Sequence, residues 1–144
     1  LDIFLQYGTK KRRESTLHKK QSPHAFIPAD GNELMHFTIL AFAAGIGEEI
    51  IFRGFLIHYL ISWFGNDFLG ITLSAIASSA LFAFLHGYQG WKSMAKIFVF
   101  ALLFSAIFIF SQSLLIVIIV HTIIDVISGV ISVYFLKKRN EEEN

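Results

Sequence analysis

From residue 34 onward the chain alternates long apolar runs with short polar breaks. The runs cover residues 34–64, 68–90, 93–110 and 113–136, and the breaks are Gly65-Asn66-Asp67, Gly90-Trp91-Lys92 and Ser111-Gln112-Ser113. A helix needs about 20 apolar residues to cross a hydrocarbon core of about 30 Å, and each run reaches that length or nearly so. None of the runs shows the period-2 alternation of a barrel strand. Lipid admits only helices and closed barrels, because every backbone hydrogen bond must be made internally. The pattern therefore predicts an all-α, polytopic membrane protein with a four-helix core bundle over residues 34–136.

The flanks are of a different kind. Residues 1–33 read as a polar, basic tail or loop, with Lys10, Lys11, Arg12, Arg13, Lys19 and Lys20 ahead of Pro23 and Pro28. Its first seven residues read as the stub of an earlier transmembrane helix or as an interfacial anchor. Residues 137–144 form a charged C-terminal tail. Basic residues stand before the first run, after the second (Lys92, Lys96) and after the fourth (Lys137, Lys138, Arg139), but not in the other two breaks. Such an alternation puts both termini on the cytoplasmic side. Trp63, Tyr88, Trp91 and Tyr134 fall near the ends of the runs, where an aromatic belt belongs.

Small residues recur every four positions in three runs: Ala41 and Gly45, then Ala75, Ser79 and Ala83, then Ser128 and Ser132. They allow close helix contact in lipid. The third run is bulkier and is expected to face lipid more than the others.

Composition narrows the classes. Hydrophobic residues make up 54% of the chain and are concentrated in the runs, which points to membrane rather than soluble core. The chain has no Cys, which excludes disulfides, thiolate metal sites and cysteine nucleophiles. A net charge of +1, with the basic residues in patches beside the spans, gives no footprint for nucleic acid. Membrane lipids are the expected surroundings.

Against this background the polar residues inside the runs call for a cause, because a charge at the bilayer centre costs about 2.5–3.5 kcal/mol on insertion scales. The first run holds Glu48, Glu49 and Arg53. On an α-helix Glu49 and Arg53 share a face as an i, i+4 pair, and Glu48 lies about 100° from Glu49 and about 140° from Arg53. Geometry pairs Glu49 with Arg53 and leaves Glu48 pointing elsewhere. The second run ends in Phe82-x-x-x-His86, and the fourth holds His121 and Asp125 on one face. His58, about 180° from Glu49, reads as interfacial.

Each group has a purely structural explanation: a buried charge network, a packed histidine, a hydrogen-bonded pair. Together they could form a general-base site, with a carboxylate and an imidazole around one water and a second imidazole donating to an oxyanion. Counted from the basic ends, Glu48 and Asp125 lie roughly 15 Å deep. His86 reads as shallower, so the second helix would have to be longer, tilted or bent to join them.

The three motifs Glu48-Glu49-x-x-x-Arg53, Phe82-x-x-x-His86 and His121-x-x-x-Asp125 resemble those of the CAAX-protease and bacteriocin-processing (Abi) family of intramembrane endopeptidases. The resemblance covers roughly residues 34–136. It implies that Glu48 and His86 activate the attacking water, that His121 and the residue at 125 stabilise the oxyanion, and that Glu49 and Arg53 support the site. It also implies a glutamate-type protease with no metal or other cofactor, and a protein or peptide substrate, lipidated or not. The implied role is CAAX-type trimming of prenylated proteins or, in a bacterial cell membrane, bacteriocin processing or self-immunity. Asp stands at 125 where the eukaryotic pattern has Asn; an ionised Asp cannot donate a hydrogen bond and a protonated one can.

Other readings compete. A zinc protease would use His86, His121 and a carboxylate, although no HExxH motif is present. A non-catalytic immunity or scaffold protein would keep the cluster for packing. Proton transport would use the same groups as a relay, but without the inverted repeat or broken helices common in transporters.

Overall fold

A computed structural model describes residue 28 and residues 31–142, with side chains through residue 138. Most of the expected basic tail (residues 1–27, 29 and 30) and residues 143–144 lie outside the described residues. Gly31–Phe64, Phe68–Leu85, Trp91–Ser111 and Leu114–Lys138 are, among the described residues, the four helices long and apolar enough to cross a membrane. The protein is an all-α integral membrane protein.

The first span is composite. Helix α1 (Gly31–Glu49) passes without a break into a π-helical segment (Ile50–Leu56), and α2 (Ile57–Phe64) completes the crossing. Helices α3 (Phe68–Leu85), α4 (Trp91–Ser111) and α5 (Leu114–Glu142) follow, with a 3₁₀ turn over Gly87–Gln89 between α3 and α4.

Local chemistry explains the ends. Gly65 closes α2 at φ 102°, a conformation that costs glycine little. The Asp67 carboxylate then caps α3 by accepting from the Gly70 N–H at 2.8 Å, as an N-cap side chain does. Helix α3 stops at Leu85, five residues before the apolar run ends, because Gly87 and Gly90 follow closely and His86 takes bridge-region angles (φ −93°, ψ 10°). Gln112 closes α4 in the left-handed region. Helix α5 continues past the apolar run to Glu142, so residues 137–142 extend it as a charged end.

The π segment keeps its backbone satisfied, as a bulge in a membrane span must. The Phe52 carbonyl accepts the Ile57 N–H, the i→i+5 bond of a π turn, and also the Ser78 hydroxyl of α3 at 2.9 Å. The His58 Nδ1–H donates to the Gly54 carbonyl at 2.9 Å; its ring is exposed and lies edge-on to Phe108.

Helix α1 packs along α5, and α3 packs along both α2 and α4. The small residues Ala41, Gly45, Ala75, Ser79, Ala83 and Ser132 are buried as expected. Ser128 is exposed, and on α5 it is Gly129 that meets α1: a Cβ there would stand 2.7 Å from the Phe37 ring.

Two expectations are corrected. The third span does not favour lipid: 22% of its most apolar stretch is buried, equal to the last span and above the 17% of the first. Ala101, Phe104, Ser105 and Phe108 form its inner face. The shallow placement of His86 also dissolves. Measured from the shared 65–67 turn, Glu48 lies roughly 24 Å along the first span and His86 roughly 27 Å along α3. They are level without any bend in α3, because α1 begins at Gly31 and reaches far beyond the level of Glu48.

The α1–α5 contact gives a first prediction. Gly129→Val should lower stability by about 1–3 kcal/mol through overpacking against Phe37, read as a lower unfolding midpoint in detergent. An unchanged midpoint would contradict the close packing of these helices.

Candidate active site

The cluster is built outward from one ion pair. Arg53 Nη1 donates to Glu49 Oε1 at 2.9 Å, and both side chains are 0% exposed. Arg53 Nη2 donates to the Ala101 carbonyl of α4 at 3.0 Å. Its guanidinium carbon lies 5.0 Å from the Phe82 ring centre and 5.4 Å from that of Phe104, within the roughly 6 Å reach of a cation–π contact. One side chain thus ties the first span to α3 and α4. The π geometry begins immediately after Glu49, so a uniform 100° wheel does not describe the turn that follows. The i, i+4 pairing of Glu49 with Arg53 nevertheless forms.

Glu49 has a second partner. His121 Nδ1 lies 2.6 Å from the same Oε1. With Arg53 on Glu49, this carboxylate is the acceptor, and Nδ1–H is the donor. The other imidazole nitrogen, Nε2, then faces Glu48 Oε2 at 3.8 Å and Asp125 Oδ2 at 3.5 Å. The His121–Asp125 pair expected from the i, i+4 spacing is therefore the looser contact, and Glu49 is what holds the ring.

His86 is fixed in the same way from the other side. Its Nδ1 lies 2.8 Å from the Phe82 carbonyl, which can only accept, so Nδ1 carries the proton and Nε2 of the neutral ring carries the lone pair. That Nε2 is 3.9 Å from Glu48 Oε1. The Phe82 ring packs on His86 with centres 4.6 Å apart.

Glu48 stands between the two imidazoles. It is 30% exposed where its neighbour Glu49 is fully enclosed. Separations of 3.8 and 3.9 Å exceed a direct hydrogen bond and suit one shared water. An ionised carboxylate and the lone pair of His86 both accept, so a water donating a proton to each satisfies both at once. Such a water has its oxygen lone pairs free for attack.

All six polar residues of the three motifs, Glu48, Glu49, Arg53, His86, His121 and Asp125, come together in one connected set. Two contributions have no motif. The Ala101 carbonyl could not be read from residue types, since every residue has one. Phe104 was hidden among the 16 Phe of the chain. The one sequence signal for an inward face of α4 was the small pair Ala101 and Ser105 at four-residue spacing. Among the described residues no group of three or more His, Asp or Glu forms a metal-holding arrangement. Among these residues the buried atoms Glu49 Oε2, Arg53 Nε and Thr122 Oγ1 have no hydrogen-bond partner.

A family model described as type II CAAX prenyl endopeptidase Rce1-like matches residues 30–127. The match covers more than half of the chain and contains all three motifs. No curated protein and no solved structure matches the chain.

Arg53→Met should destabilise the fold by about 3–5 kcal/mol, because it leaves Glu49 as an uncompensated buried charge. Arg53→Lys should recover only part of this loss, since a single ammonium cannot reproduce the two-armed contact with Glu49 and Ala101. Denaturant unfolding of the three proteins in one detergent tests both; wild-type stability in Arg53→Met would contradict the anchoring role.

Proposed function

Because the chain belongs to the Rce1-like family of type II CAAX prenyl endopeptidases, a family of membrane proteases, we propose that it is an intramembrane endopeptidase whose nucleophile is a water held by Glu48 and His86. The observation that carries this reading is the position of Glu48, partly exposed and level with the Nε2 atoms of both histidines.

In this mechanism the water oxygen attacks the scissile carbonyl carbon while its proton passes to the Glu48–His86 pair. The carbonyl oxygen becomes the oxyanion of a tetrahedral intermediate. His121, its Nδ1–H already given to Glu49, meets that oxygen with Nε2–H in its imidazolium form. Asp125 is either a second donor, when protonated, or the group that orients His121. Collapse breaks the C–N bond, and the proton held by the pair goes to the leaving amine. Glu49 and Arg53 act through His121 and the helix packing, without touching substrate.

The family description makes a prenylated protein or peptide ending in a CAAX sequence the proposed substrate, with bacteriocin processing or self-immunity as the alternative role. The basic residues at the helix ends support a cytoplasmic placement of both termini.

Reconstituted in liposomes, the wild type should cleave a farnesylated CAAX peptide, followed by mass spectrometry. Glu48→Gln should lower the rate by at least about 10²-fold, and chelators should leave the wild-type rate unchanged. A fully active Glu48→Gln would sink the mechanism, and loss of activity with chelator, restored by zinc, would replace it with metal catalysis. Asp125→Asn keeps a donor at this position and should stay active. An inactive but well-folded Asp125→Asn would remove Asp125 from the oxyanion.

A further inference from the structure

The two histidines are each backed by a phenylalanine ring, and only one of these rings belongs to a recognised motif. Phe82 packs on His86 and lies under Arg53. Phe104, on α4, repeats this arrangement with the other histidine. Its ring lies 4.9 Å from that of His121 at 28°, and 5.4 Å from the Arg53 guanidinium. Both separations are within the range of aromatic stacking and cation–π contact. Phe104 is 5% exposed and packs with Ile57, Phe108 and Val117, so its ring has little freedom to turn aside.

We infer that Phe104 is a positioning residue for the oxyanion side of the site, setting the plane of the His121 imidazole. The inference rests on the reading of His121 given above. The hydrogen bond from Nδ1 to Glu49 places one atom of the ring but tolerates a range of tilt. A rigid ring stacked on one face removes that range. Nε2 is then aimed at the space between Glu48 and Asp125. The face of Phe104 also favours a positive charge on the ring it covers, as it does for Arg53. The third span, which carries no acid or imidazole, thereby enters the site through one aromatic face and the Ala101 carbonyl.

Two substitutions separate positioning from packing. Phe104→Leu keeps an apolar side chain and loses the ring; Phe104→Tyr keeps the ring. Phe108→Leu, one turn along in the same cluster and facing His58 instead, is the control. With the farnesylated CAAX peptide in liposomes, Phe104→Leu should lower kcat about tenfold with KM within about twofold of wild type. Phe104→Tyr should restore kcat to within about threefold, and Phe108→Leu should keep it.

Equal losses in Phe104→Leu and Phe108→Leu would overturn the inference. So would a Phe104→Tyr as impaired as Phe104→Leu, or a KM effect alone.

A second readout does not require turnover. In histidine-labelled protein the ring current of Phe104 should shift the His121 carbon-bound protons upfield. That shift should vanish in Phe104→Leu and persist in Phe104→Tyr. An unchanged His121 signal in Phe104→Leu would overturn the placement. If the wild type fails to cleave any peptide while the ring-current shift behaves as expected, the proteolytic reading fails and the Phe104–His121 contact stands.

Discussion

The fully buried ion pair between Glu49 and Arg53 is the constraint on which the rest of the arrangement depends. Two charges removed from water are costly, and they persist only where geometry compensates both. Here the compensation is drawn from every span. Arg53 reaches the Ala101 carbonyl on α4 and the Phe82 ring on α3, and Glu49 reaches His121 on α5. The pair is therefore a junction: once it is enclosed, the four spans have little choice of relative register. Glu49 Oε2 and Arg53 Nε have no hydrogen-bond partner among the described residues.

Enclosing Glu49 is also what sets Glu48 free. Adjacent residues on a helix point in directions about 100° apart, so with Glu49 enclosed on Arg53 and His121 Nδ1, Glu48 lies on the more open side, near the two Nε2 atoms. The π segment starts at the next residue, which places the change of helical register directly beside the proposed site, a common location for such segments. Ser78 braces it from α3. Backbone irregularity, ion pair and free carboxylate are thus one local solution rather than three features.

Much of this was legible in the sequence, and the reasons for the gaps are physical. Four apolar runs between polar breaks were enough for the spans, because lipid leaves few alternatives to a helix. The six polar residues stood out because charge inside such runs is expensive. The i, i+4 rule paired Glu49 with Arg53 correctly, and it paired His121 with Asp125 where a stronger partner waited on another helix. Residue spacing sees only contacts within one helix, so the Glu49–His121 bond was out of its reach. Counting from the basic ends makes His86 look shallow because Lys92 follows it closely, whereas from the 65–67 turn Glu48 and His86 are level. Phe104 was invisible for a different reason: in a chain rich in Phe, an aromatic residue in an apolar run carries no signal until its neighbour is known.

The central claim is a division of labour between two adjacent glutamates, one holding the fold and one performing chemistry. Its most direct test is a side-by-side measurement of unfolding midpoint and peptide cleavage for Glu48→Gln and Glu49→Gln in the same liposome and detergent preparations. The account predicts that Glu48→Gln unfolds like wild type and does not cleave, while Glu49→Gln unfolds at a clearly lower midpoint. A Glu48→Gln protein that cleaves at the wild-type rate, or a Glu49→Gln protein as stable as wild type, would contradict it.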